Sequence, residues 1–168
     1  MGVIRSKLLD RAALAELREV HRRAGRILVW TNGTFDLLHP GHVASLTAAR
    51  ALGDVLFVGL NSDASVRSYK GPNRPILTQI ERATMLCALA CVDAVTIFDE
   101  PTPEAVLAAV KPDIHCKGAE YAPPHGRPVP EAAIVEGYGG RIAYLPLVEG
   151  LSTTALLQRI RDLGNEDA

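Results

Sequence analysis

Apolar and polar positions follow two rhythms along this chain. Short continuous apolar runs at 27–30, 55–60, 94–98, 112–116 and 141–145 are rich in β-branched or aromatic side chains. Runs of that length and content suit strands buried on both faces of a parallel sheet. Between them the apolar residues recur at helical spacing. Leu9, Leu14, Leu17 and Val20 predict a helix over 8–23 with Asp10 as a possible cap, and Ile80, Met85, Leu86 and Leu89 predict the inward face of a helix over 79–90. Shorter helices are expected at 43–49, 64–67, 104–110 and 131–138, and a last one runs through Leu156, Leu157 and Ile160.

Strands alternating with helices predict an α/β fold: a Rossmann-like, doubly wound parallel sheet of about five strands flanked by helices. Each strand–helix–strand connection is long enough for a right-handed crossover, which puts the ligand crevice at the carboxyl ends of the strands. With 168 residues, one domain over 1–168 is expected, with a helical segment at 1–25 and a catalytic core at 26–163.

Composition narrows the ligand. A formal net charge of −1 with 22% charged residues gives no broad electrostatic footprint for nucleic acid, so affinity for phosphate must come from locally placed cations. No apolar run approaches the roughly 18 residues of a membrane span, and no signal core opens the chain. Cys87, Cys91 and Cys116 are odd in number and lack metal-ligand spacing, which fits a reducing compartment and small core residues. The expectation is a cytoplasmic protein with no membrane or nucleic-acid partner.

The chemistry concentrates after the first strand, in Gly33-Thr34-Phe35-Asp36-Leu37-Leu38-His39-Pro40-Gly41-His42. Gly33 lets a ligand approach the backbone, and Gly41 and His42 open a helix whose free N–H groups make a natural phosphate seat. Two histidines bent around Pro-Gly face the same helix mouth and supply donors for charge that builds on a leaving group.

Other candidates stand at later strand ends. Asn61-Ser62-Asp63 reads as a helix cap at a strand end. Lys70 and Arg74 lie in a Gly/Pro-rich loop that fixes charge without regular structure, and Lys117-Gly118 ends another strand. Ser152-Thr153-Thr154 precede the last helix, either as caps or as phosphate ligands. Arg18, Arg22 and Arg23 read as a solvated face, Arg82 is ambiguous, and 122–130 is either a cover for a ligand or an exposed loop.

Gly33-Thr34-Phe35-Asp36 followed by His39-Pro40-Gly41-His42 resembles the HxGH signature of the nucleotidyltransferase superfamily, and within it the D-glycero-β-D-manno-heptose 1-phosphate adenylyltransferase group. The similarity spans about Ser6 to Ile160. It implies transfer of AMP from ATP to a sugar 1-phosphate, with His39, His42 and Lys70 catalytic. It also implies nucleotide contacts from Thr34, Phe35, Asp36, Gly41, Arg74, Lys117, Gly118, Ser152, Thr153 and Thr154, and acceptor contacts from Asn61, Asp63 and Glu120. Mg²⁺ is the implied cofactor, with Asp36 either its protein-side partner or an orienter of a histidine, and a homodimer is the implied assembly. Lys117-Gly118-Ala119-Glu120-Tyr121 departs from the group's Lys-Gly-Gly-Asp-Tyr at two positions, which leaves the acceptor less defined than the triphosphate. A cytidylyltransferase acting on an alcohol phosphate such as glycerol 3-phosphate shares these motifs, but its Arg-Thr-x-Gly-Ile-Ser-Thr-Thr ending is not matched by Leu147-Val148-Glu149-Gly150-Leu151-Ser152-Thr153-Thr154. A nucleotide-binding sensor without catalysis is the reading from another class.

Overall fold

The computed structural model describes residues 6–148 and 150–166; Glu149 and the first five positions of the expected N-terminal segment lie outside them. Five parallel strands form one sheet in the order β3-β2-β1-β4-β5. They are β1 (Leu28–Gly33), β2 (Val55–Asn61), β3 (Ala94–Phe98), β4 (Ile114–Gly118) and β5 (Arg141–Leu145). The helices are α1 (Arg11–Arg23), α2 (Pro40–Arg50), α3 (Asp63–Lys70), α4 (Gln79–Ala88), α5 (Glu104–Val110), α6 (Ala132–Gly137) and α7 (Thr153–Glu166), with a 3₁₀ turn at Ala119–Tyr121. The doubly wound parallel α/β sheet is thus the one the alternating pattern predicts.

Strand alternation divides the core. Val29, Leu56, Val58 and Leu60 face one layer with Leu46 and Ala49 of α2 and Ala83, Leu86 and Cys87 of α4. Leu28, Trp30, Val55 and Phe57 face the other, with Leu14 of α1, Leu107 of α5 and Val135 of α6. Every residue of β2 is buried, which explains its unbroken apolar run. Gly59 is required there because a Cβ would collide with the Trp30 indole from the neighbouring strand.

Three expectations need correction. Arg18 is not on a solvated face: it is buried, pairs with Asp113 at 3.0 Å and donates to the Lys111 carbonyl, far along the chain from its own helix. Arg22 and Arg23 are exposed and pair with Glu19. On α4 the inward stripe is Arg82, Ala83, Leu86 and Cys87, while Ile80 and Met85 are exposed. Arg82, ambiguous in the sequence, is on the buried stripe, and the helix's buried face lies away from Ile80 and Met85. The first strand starts at Leu28 because Ile27 remains largely exposed.

Because β2 and β3 extend to one side of β1 and β4 and β5 to the other, the chain reverses direction between β1 and β4. That switch point is where open α/β sheets leave a crevice. The carboxyl ends of β1 and β4, at Gly33 and Gly118, flank it.

Candidate active site

Two adjoining cavities open at this switch point. The first, about 470 Å³, is lined by Thr31–Asp36, His39, Gly41, His42, Ser45, Lys70, Gly118, Glu120 and 151–154 among others. The second, about 870 Å³, shares 31–34, Lys70, Gly118 and Glu120 and adds Asn61, Tyr69, Lys117, Tyr121, Arg127 and Glu131. Their common wall is therefore the β1 end, the β4 end and Lys70.

The histidine pair is built by the start of α2. His39 caps the helix in an extended conformation, Pro40 follows with its preset φ, and His42 falls one turn on. The rings stack with centroids 3.8 Å apart. The His39 backbone N–H donates to His42 Nδ1 at 3.3 Å, so the proton of neutral His42 resides on Nε2. Burial, then the charges of His39 and Lys70, push the His42 pKa down to about 4, against the opposing pull of Asp36. Burial also lowers His39. Both imidazoles are therefore neutral N–H donors at pH 7. Gly41 leaves room between them: a Cβ there would stand 3.0 Å from His39 Nδ1 and 3.1 Å from the Leu151 Cβ, so both neighbours would have to shift slightly.

The loop between β1 and α2 is held from three sides. Phe35 and Leu37 adopt φ of 48° and 50°, a region that non-glycine residues seldom occupy. Asp36 holds it by accepting from Arg74 Nε at 2.9 Å, Ile76 N at 2.9 Å and Leu77 N at 3.1 Å, with 1% of the residue exposed. Its burial alone would raise the carboxyl pKa, but the two backbone N–H donors and Arg74 outweigh it and hold the group below its usual value. Arg82 donates to the Thr34 carbonyl at 2.6 Å, the Leu77 carbonyl at 3.1 Å and Asp63 at 2.7 Å. From the far end of the chain, Thr153 Oγ1 donates to the Asp36 carbonyl at 2.9 Å.

These bonds reassign several residues. Arg74 and Asp63 do not line either cavity, because the first is turned onto Asp36 and the second onto Arg82. Asp36 serves the loop: Oδ2 accepts from Arg74 and the Ile76 N–H, and Oδ1 from the Leu77 N–H. Among the described residues no group of three or more His, Cys, Asp and Glu side chains is placed to hold a metal. Lys117 lines only the second cavity, where Glu131 holds it at 2.8 Å. Of the terminal hydroxyls, Thr153 donates its hydrogen bond to the Asp36 backbone carbonyl, whereas Ser152 accepts from Ala155 N–H at 3.0 Å and keeps its own O–H for a ligand.

The remaining predicted residues converge: His39, His42, Lys70, Thr34, Phe35, Gly41, Gly118, Asn61, Glu120, Ser152 and Thr154 all line one or both cavities. The 122–130 loop borders the second cavity through Arg127, Pro128 and Pro130. Sequence reading missed Tyr69, whose hydroxyl meets Thr34 Oγ1 at 2.7 Å, and Glu131. Tyr69 adjoins Lys70 and was open to detection; Glu131 carried no local signal.

The arrangement is a cavity at a helix start, ringed by neutral imidazoles, a lysine and a hydroxyl, next to a roomier polar chamber. Residues 30–159 match the family described as cytidylyltransferase-like. The bifunctional protein HldE of Syntrophotalea carbinolica is 50% identical over 157 residues, 94% of this chain and 31% of that protein. HldE of Streptomyces coelicolor is 48% identical over 154 residues, 88% of this chain and 33% of that one. The chain thus spans about a third of the length of the curated relatives it matches. Among solved structures, the lipopolysaccharide core biosynthesis protein of Thermoplasma volcanium superposes with a TM-score of 0.59 at 28% identity, covering 74% of this chain and 98% of that one. Pantoate-beta-alanine ligase of Francisella tularensis shares the fold at a TM-score of 0.61 and 12% identity, over 91% of this chain and 72% of that one.

Proposed function

Since this chain belongs to the cytidylyltransferase-like family, we propose that it transfers AMP from ATP to a sugar 1-phosphate, a heptose 1-phosphate by its resemblance, giving an ADP-sugar and pyrophosphate. The observation that carries this reading is the stacked His39–His42 pair at the α2 start, facing the same cavity as Lys70 and Ser152. Such a seat fits a triphosphate, and the adjoining chamber fits the acceptor.

In this reading an oxygen of the acceptor phosphate attacks the α-phosphorus of ATP in line. The bond from that phosphorus to the bridging oxygen breaks, and pyrophosphate leaves with the electron pair. No side chain needs to become a nucleophile. His42 Nε2–H and His39 donate to the oxygens on which charge develops, and the α2 start, Lys70 and the Ser152 hydroxyl hold the leaving group. The two imidazoles are held before substrate arrives by their stacking and by the His39 N–H on His42 Nδ1, so these donors need little reorganisation during reaction. Mg²⁺ bound with ATP would supply charge neutralisation on the phosphates, while Asp36 holds the loop through its bonds to Arg74, Ile76 and Leu77.

The test is pyrophosphate release dependent on both ATP and a sugar 1-phosphate, compared with His39→Ala. Loss of turnover with ATP binding largely retained supports the reading. A protein that binds ATP yet releases no pyrophosphate with any phosphorylated acceptor is a nucleotide sensor instead.

A further inference from the structure

Beyond the wall they share, the two cavities carry different polar side chains. His39, His42, Gly41 and Ser152 line the first alone, whereas Lys117, Tyr121, Arg127 and Glu131 line the second alone. Glu131 is 2% exposed and sits at the start of α6, where a single oxygen, Oε1, receives Lys117 Nζ at 2.8 Å and faces His115 Nε2 at 3.1 Å. His115 is itself fully buried in β4, two residues before Lys117. The Lys117 ammonium also lies 4.6 Å from the Tyr121 ring centroid.

A lysine is a point charge on a flexible stem, and it reaches one position only when something fixes it. Here a buried carboxylate and an aromatic face do so. An ammonium has three donors and Glu131 takes one, which leaves donors for an anion in the second cavity. Arg127 supplies a second cation on that wall, and Asn61 and Glu120 supply polar atoms suited to hydroxyl groups.

We infer that Glu131 is a positioning residue that fixes Lys117 in the second cavity to receive the phosphate of the acceptor, a phosphorylated sugar, rather than a phosphate of the nucleotide. This rests on the adenylyl-transfer reading for its kinetic consequence, though not for binding itself. It also explains why Lys117, at the end of β4, is separated from the histidine pair by the shared wall.

Removing Lys117 alone strands a buried carboxylate, which is destabilising. The double variant Lys117→Met/Glu131→Gln removes the pair together, and Glu131→Gln alone leaves the lysine unfixed. Calorimetric titration with a heptose 1-phosphate and, separately, with ATP reads binding without turnover. The double variant is expected to bind the sugar phosphate at least tenfold more weakly with ATP affinity within twofold of wild type. Glu131→Gln is expected to raise the acceptor KM at least fivefold while the ATP KM stays within twofold. Weakened ATP binding with unchanged sugar-phosphate binding, equal weakening of both, or no change in either overturns the inference. So does a wild-type protein that binds no sugar phosphate. Wild-type binding of sugar phosphate without turnover would count against adenylyl transfer only, and the titrations would still decide the role of Glu131.

Discussion

Arg74 Nε and Nη2 both rest on Asp36 Oδ2, at 2.9 and 2.8 Å, while the backbone N–H groups of Ile76 and Leu77 complete the carboxylate's coordination. The aspartate of the Gly-Thr-Phe-Asp motif therefore ties the strained loop before the histidines to the loop after α3. Asp36→Asn leaves the partly exposed Arg74 guanidinium without its counter-charge, a loss of about 1.5–3 kcal/mol on the scale of hydrogen bonds to charged groups. Chemical denaturation should show it, and turnover should fall with it because His39 and His42 hang from that loop.

Arg82 spans three partners, the Thr34 and Leu77 carbonyls and Asp63, from a fully buried position. Arg82→Lys keeps the charge but not the planar fork, so at least one carbonyl loses its donor. A destabilisation of about 2–4 kcal/mol is expected from hydrogen bonds to a charged group. A thermal midpoint within a degree of wild type would contradict the role given to Arg82.

The pH dependence of stability has two windows. The folded pKa of His42, about 4, lies below the ordinary histidine value of 6.5. The unfolded chain therefore takes up a proton between those values while the folded chain does not, and stability falls as pH drops through that window. From pH 7.5 to 5.5 the loss is about 1 kcal/mol. His39 and His115, both lowered chiefly by burial, act in the same direction. His42→Asn should flatten this part of a midpoint-against-pH curve.

Alongside other lowered carboxylates such as Asp36, Glu131 contributes to the lower window. Burial alone would raise its pKa, but the donors His115 and Lys117 bring it down from 4.5 to about 2. Its stabilising contribution is thus complete above about pH 4.5 and is lost as pH falls toward 2. Glu131→Gln should reduce that acid-induced loss, and a curve below pH 4.5 identical in shape to wild type would contradict the assignment.

Gly59→Ala tests the packing at the sheet's centre. The added methyl collides with the Trp30 indole, which has no room to retreat in a fully buried layer. Overpacking of this kind costs about 1–3 kcal/mol, measurable by denaturant unfolding.

Local pattern carried the architecture because parallel strands announce themselves as unbroken apolar runs; Ala94–Phe98 and Arg141–Leu145 fall where their residues predict. The motif at 33–42 was legible because its residues are consecutive and the helix start is built into them. Buried charges were not. Arg18, Arg82 and Glu131 look like surface residues in sequence, and their partners Asp113, Thr34 and His115 lie 95, 48 and 16 positions away. Periodicity reads faces and carries no information on such pairings, so Ile80 and Met85 were turned inward in place of Arg82. Arg74 and Asp63 looked like free ligands for the same reason.

The most direct test of the account pairs ATP and CTP in turn with heptose 1-phosphates of both anomers and with glycerol 3-phosphate, measuring pyrophosphate release. The account predicts turnover with ATP and one heptose anomer, producing pyrophosphate and ADP-sugar in equal amounts. Turnover confined to CTP and glycerol 3-phosphate would contradict it.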